Sequence, residues 1–170
     1  GDQTAFENVL AATSSASGDG VWSSMARFGH WSRREGQRIE QAWACLNFVG
    51  LSDRVDEQAS ALPYGEQKLL SVAVALATDP RLLMLDEPAA GLNHTEANRL
   101  ADLLRELRSH GLTIVLVDHN LRMMMALCDR ILVLDRGCLI AQGTPAEVQA
   151  NQAVIDAYLG GNTASERENA

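Results

Sequence analysis

Apolar residues recur at helical spacing through the first part of the chain. Ile39, Ala42, Trp43, Leu46 and Val49 fall on one face of a helix predicted over Arg33–Val49. Gly50 can close that helix in a left-handed conformation. A shorter helix is expected over Asp2–Ala12. Thr13–Asp19 is small and polar and reads as a loop. Trp22, Met25, Phe28 and Trp31 stand at three-residue spacing and suggest a short amphipathic turn. Near Leu62 the pattern changes. Gly65–Thr78 carries Leu69, Val72, Ala73 and Leu76 on one helical stripe, and Pro80 breaks it. Leu82–Leu85 is continuously apolar, the pattern of a strand buried on both faces. Asn93 with Glu96 three residues on forms a capping box, opening a helix through Ser109 that Gly111 ends. Thr113–Val117 is a second buried strand, followed by a Met-rich helix over Leu121–Leu127. Ile131–Leu134 and Cys138–Ala141, joined at Asp135-Arg136-Gly137, predict a hairpin. Thr144 with Pro145 at the first helical position starts a terminal helix ending at Gly160. Gly161–Ala170 reads as a polar, disordered tail.

This order predicts an α/β fold. A helical part over 1–78 precedes a part over 79–160 in which strands and helices alternate, which implies a parallel sheet covered by helices. No internal repeat is visible.

Composition narrows the function classes. The chain has 170 residues, 46% of them apolar, and a net charge of −8. That balance argues against a binder of nucleic-acid phosphates, which needs a basic face. The three cysteines, Cys45, Cys128 and Cys138, are widely spaced and form no CxxC. Free thiols in a reducing compartment are the simplest reading. No apolar run reaches the roughly 18 residues that span a bilayer. No signal peptide opens the chain, and its first residue is Gly1 rather than Met, so a soluble fragment is the expectation.

Three segments carry chemistry. Leu82-Leu83-Met84-Leu85-Asp86-Glu87-Pro88 is a strand ending in two adjacent carboxylates. In open α/β sheets ligands lie beyond the carboxyl ends of the strands, and two carboxylates there suit a magnesium ion and a water to be activated. A strand leaving the core into an acidic turn is the plainer alternative. The second strand ends at Asp118-His119, which places His119 at the same sheet edge. Leu62-Pro63-Tyr64-Gly65-Glu66-Gln67-Lys68 puts a glycine at a helix start, where backbone N–H groups and the helix dipole favour a phosphate. Other features need no function. Met123-Met124-Met125 reads as core filler, His110 suits the end of its helix, and Arg33, Arg34 and Arg38 form a solvated helix side. The aromatics of residues 22–31 read as packing within the helical lobe, since such side chains bury large areas.

The order LPYGEQ, LLMLDEP, AAGLN, VDHN resembles the ATPase subunit of ABC transporters over essentially the whole chain. The wording DEPAAGLN, the long helical insert and the ending GTPAEV…AYLG are most similar to the branched-chain amino acid importer branch. The resemblance implies the helical subdomain and the C-terminal half of the core of a P-loop NTPase. Pro63, Tyr64, Gly65 and Glu66 stand at the signature and would serve ATP bound by a partner cassette. Asp86 would hold Mg2+ through water, Glu87 would polarise the attacking water, and His119 would contact the γ-phosphate. Gly91 and Asn93 stand at the D-loop. The implied partners are a second ATPase subunit and transmembrane permease subunits, with no nucleic acid, at the cytoplasmic face of the membrane.

Departures from the family pattern are specific. Pro63 replaces a serine hydroxyl, Tyr64 and Glu66 replace Gly and Gln, and Asn93 replaces an Asp. No GxxxxGK[ST] occurs, Lys68 is the only lysine, and Gln3 stands too late for the glutamine loop. The phosphate-loop strand is therefore expected to be absent, the isolated chain inactive, and the edge of Thr113–Val117 unpaired. A lipopolysaccharide-export cassette shares the DHN and YLG wording. An SMC-type DNA-organising head lobe also carries signature, Walker B and switch without a phosphate loop, but no heptads precede Leu62 here.

Overall fold

A computed structural model describes residues 3–13 and 32–159 of the chain. The aromatic segment Trp22–Trp31, most of the loop expected over Thr13–Asp19 and the tail from Gly160 lie outside the described residues. The chain divides into two compact units, Gly1–Val117 and Asp118–Ala170. That boundary follows packing. The change of composition near residue 78 falls inside the first unit.

The first unit opens with α1 (Ala5–Ala12), whose Thr4 and Glu7 form a reciprocal capping box. Its first-turn amides would otherwise lack partners. Ala5 and Phe6 instead donate to the carbonyls of Glu57 and Val55, at 2.8 and 3.0 Å. Helix α2 (Ser32–Phe48) buries Ala42, Cys45 and Leu46, with Val49 just beyond it. Ile39 and Trp43 keep 39% and 43% of their surface exposed, so the predicted stripe is covered only over its C-terminal part. Trp43 lies against Phe6, ring centroids 5.6 Å apart. Gly50, at φ 74°, ends the helix. Leu51 then donates to the Leu46 carbonyl at 2.8 Å and Gly50 to Asn47 at 3.0 Å, a Schellman closure.

Helix α3 (Tyr64–Leu76) buries Leu69, Val72, Ala73 and Leu76 as its stripe predicts, with Leu70 beside them. A fully buried leucine such as Leu76 contributes about 1.5–3 kcal/mol. The helix ends before Pro80, because Asp79 turns left-handed at φ 54° and donates to the Leu76 carbonyl at 2.9 Å. Burial, with Asp79 nearby, pushes the Cys45 thiol up to about 12, so it packs as an inert apolar group.

Strands β1 (Leu82–Asp86) and β2 (Thr113–Val117) pair in parallel, Leu82 opposite Thr113 and Asp86 opposite Val117. Between them runs α4 (His94–Ser109), capped by Asn93 and Glu96 and burying Leu100, Ala101, Leu103, Leu104 and Leu107. Arg99 of α4 donates to the carbonyls of Val49 and Gly50 at 3.2 and 2.9 Å, tying α4 to the end of α2. One face of the strand pair is covered at Leu83. On the other, Leu82, Met84, Val115 and Val117 are 48%, 69%, 41% and 57% exposed. The expected burial on both faces is therefore not met. A period-two strand buries both faces only when layers lie on both sides, and among the described residues only one side is covered.

The second unit holds α5 (Leu121–Leu127) and the antiparallel hairpin β3 (Ile131–Asp135) and β4 (Cys138–Gly143). Arg136 and Gly137 have φ of 48° and 80°, the two left-handed positions that a tight hairpin turn requires. Ile131 and Val133 pack on Val148 and Val154, with Met124 and Met125 against them. The methionines are thus core filler. Thr144 and Glu147 cap α6 (Pro145–Gln149). The expected single terminal helix is interrupted at Asn151, which caps α7 (Gln152–Val154). Among the described residues the strands form two two-stranded sheets.

Candidate functional site

Asp86 ends β1 and is exposed, as is Glu87 after it. Glu87 is held at φ 42°, a left-handed conformation that costs a non-glycine residue on the order of 1 kcal/mol or more. Two hydrogen bonds over-determine it. Its N–H donates to the Val117 carbonyl at 2.7 Å, and its carbonyl accepts from Ala90 at 3.1 Å. The turn that follows keeps Pro88 buried and leaves both carboxylates facing solvent beyond the sheet edge. Such a pair fits magnesium, which takes one or two carboxylates and keeps several waters for itself and for substrate phosphates. No group of three or more His, Cys, Asp or Glu side chains able to cage a metal occurs among the described residues.

Pro63 precedes α3 without a side-chain cap, so the first turn of the helix presents backbone amides in the way that suits an anion. Tyr64 is exposed by 52%. Its hydroxyl donates to the Ala90 carbonyl at 3.3 Å, and Lys68 sits 5.6 Å from the centre of its ring. Gly65 is buried. Glu66 pairs with Arg54, Nε to Oε2 3.3 Å, and Arg54 also meets Glu57 at 2.6 Å. Glu57 foremost, with Glu66, holds the Arg54 guanidinium above its ordinary pKa. Arg54 thus offsets a carboxylate that would oppose a phosphate at this helix start. Sequence reasoning missed it, because the partners stand twelve positions apart on different elements, with no period to link them.

The turn at residues 63–66 and the loop carrying Ala90, Gly91 and Asn93 come together. Gly91 has φ 78°, and a Cβ there would lie 2.9 Å from the Tyr64 ring. Asn93 accepts from the Glu96 N–H at 3.0 Å. A pocket over this junction is lined by Pro63, Gly65, Leu69, Leu92, Glu96 and Leu100.

His119 belongs to the second unit and is described within it. Its ring is 74% exposed, with Nδ1 4.0 Å from Asp118 Oδ1. The Asp118 side chain is buried and accepts from the Asn120 N–H at 2.8 Å. Asn120 in turn accepts from Met123 at 3.1 Å, capping α5. The segment is therefore a hydrogen-bonded turn with the imidazole exposed to solvent. His110, by contrast, bonds the Glu106 carbonyl through Nδ1 at 2.8 Å and closes α4.

The family model described as "ABC transporter" matches residues 2–90, more than half of the chain. The chain belongs to the ABC transporter family. A second family model, "Branched-chain amino acid ATP-binding cassette transporter", matches residues 138–164. Among curated ABC relatives, the chain is 39% identical to the high-affinity branched-chain amino acid transport ATP-binding protein LivG of Salmonella typhimurium, over 94% of its own length. It is 38% identical to BraF, of the same description, from Pseudomonas aeruginosa. It spans 63% of the length of each. Among solved structures it resembles MJ1267, an ATP-binding cassette of an ABC transporter, with TM-score 0.74 and 28% identity, covering 92% of this chain and 63% of that one. The fold is accordingly α/β, part of a P-loop cassette, and this sequence holds no phosphate-loop motif.

Proposed function

We propose that this chain contributes the signature, Walker B, D-loop and switch elements of the ATPase in a branched-chain amino acid importer. The observation that carries the reading is the Asp86–Glu87 pair, fixed beyond the sheet edge by the Glu87 N–H to Val117 bond. The signature turn adjoins the D-loop that follows this pair in the chain.

In this reading Asp86 holds magnesium through water. When bound, the ion would neutralise phosphate charge. Glu87 orients a water and takes its proton. His119 donates to the γ-phosphate oxygen that gains charge. The amides at Tyr64, Gly65 and Glu66, at a helix start that suits an anion, would face an ATP held by a partner cassette. Transmembrane permease subunits are the further partners, at the cytoplasmic face of the membrane. No helix among the described residues is long and apolar enough to cross a bilayer, which suits a peripheral subunit. The names of LivG and BraF and the C-terminal family match support the amino acid cargo over lipopolysaccharide export or DNA organisation.

The test is leucine-stimulated ATP hydrolysis by a reconstituted transporter whose cassettes carry this chain joined to a phosphate-loop segment. Stimulation by leucine, isoleucine or valine, lost on Glu87→Gln, is the expected result. Hydrolysis indifferent to all three would remove the cargo reading, and none at all would remove the ATPase reading.

A further inference from the structure

Glu96 occupies a place that its capping role alone does not require. The position a Cβ would take on Gly65 lies 2.5 Å from Glu96 Oε1 and 2.7 Å from its Cδ. The other oxygen of the same carboxylate, Oε2, accepts from the Asn93 N–H at 2.9 Å. A Cβ at Gly65 would push on the Oε1 end of this side chain, and because both oxygens belong to one planar group, turning it strains the Oε2 bond to Asn93. A second contact runs alongside, with the Tyr64 ring over Gly91 and its hydroxyl on the Ala90 carbonyl. Gly65 and Asn93 are far apart in the chain, yet one side chain bonds Asn93 and fills the space above Gly65.

We propose that Glu96 is a positioning residue that clasps the signature turn to the D-loop, so that the two move as one body. An ordinary capping box would need only the Asn93 side of this contact. The Gly65 side makes a displacement of one loop a displacement of the other, and the coupling is reciprocal. Its consequence for turnover rests on the proposed ATPase role, whereas the clasp itself is a property of this chain.

Amide hydrogen exchange on the 170-residue chain tests it without nucleotide. Gly65→Ala should speed exchange of the Asn93 amide about tenfold, the effect of losing one hydrogen bond. Glu96→Ala should do the same, and the double variant should be no faster than Glu96→Ala alone. Glu96→Gln keeps an acceptor of the same shape and should stay within about threefold of the parent. In the reverse direction, Glu96→Ala should speed exchange at Gln67, whose N–H bonds Pro63 in the signature turn at 2.9 Å. That arm decides the matter if Gly65→Ala does not fold. Unchanged Asn93 exchange in Gly65→Ala, additive effects in the double variant, or an unmoved Gln67 in Glu96→Ala would overturn the clasp. In the reconstituted transporter, Glu96→Ala should lower kcat and Glu96→Gln recover it. An unmodified transporter without hydrolysis would count against the functional reading alone.

Discussion

Two side chains at the residue scale carry the chemistry of the reading, and each has a local reason for its place. Glu87 is held in a left-handed turn by backbone bonds that do not involve its carboxylate. Glu87→Gln should therefore keep the fold and ATP binding in the reconstituted transporter while kcat falls roughly 10²–10⁴-fold. Near-parental hydrolysis would show that another group accepts the proton. His119→Ala removes an exposed ring from a turn that Asp118 and Asn120 hold. Turnover should drop with little change in melting temperature, and a rate within about twofold of the parent would leave His119 a loop residue. Glu147 has a different consequence. The Thr144 N–H and then its hydroxyl hold its carboxyl below the usual glutamate pKa. A depressed folded value contributes stability above the ordinary carboxylate pKa, and that contribution is lost as pH falls through the lowered value. Glu147→Gln should flatten the acid limb of the stability profile below about pH 4.5. A difference appearing only above neutral pH would contradict the sign.

At the scale of elements, the helix ends decide more than helix propensity does. Gly50 and Gly36 both lie on or beside α2 and make opposite demands. Gly50 is left-handed at 74°, and a Cβ there would lie 2.5 Å from Arg99 Nη2. Gly50→Ala should destabilise the first unit by about 1 kcal/mol or more. Gly36 is exposed mid-helix with open space around it, so Gly36→Ala should stabilise by about 0.5–1 kcal/mol. Denaturant midpoints of the two variants check the pair, and equal shifts would mean that neither geometry matters.

For the whole molecule, uncovered apolar surface outweighs charge. Leu82, Met84, Val115 and Val117 are exposed on one sheet, and Leu132, Leu134 and Leu139 on the hairpin. Two-stranded sheets also leave backbone N–H and C=O groups at their edges, a template for pairing with other chains. The net charge of −8 opposes association, but it is screened over about 8 Å in physiological salt. The isolated chain should associate as its concentration rises, and Met84→Lys with Leu132→Lys should reduce this. Size-exclusion chromatography with light scattering reads it, and a monodisperse monomer with a sharp melt would mean that the apolar faces are covered. The same isolated chain should give no saturable ATP binding at micromolar concentration, because its sequence holds no phosphate-loop motif.

The sequence by itself determined whatever depends on neighbours three to five residues away. Asn93 with Glu96 and Thr144 with Glu147 were legible as caps, because a cap is a bond between near neighbours. The bounds of β2 and α5 and the turn at Arg136-Gly137 followed from local pattern in the same way. The carboxylate pair at the end of β1 was legible too, since a strand pattern ends where it ends. Tertiary structure alone decided which faces are covered. Leu82 and Met84 are as apolar as Leu83, yet only Leu83 is buried, because burial needs a layer supplied from elsewhere. It also decided that Arg54 offsets Glu66 and that the Glu96 carboxylate fills the space above Gly65. Those contacts join residues whose separation in the chain carries no period and no propensity, so only the packed chain could bring them together.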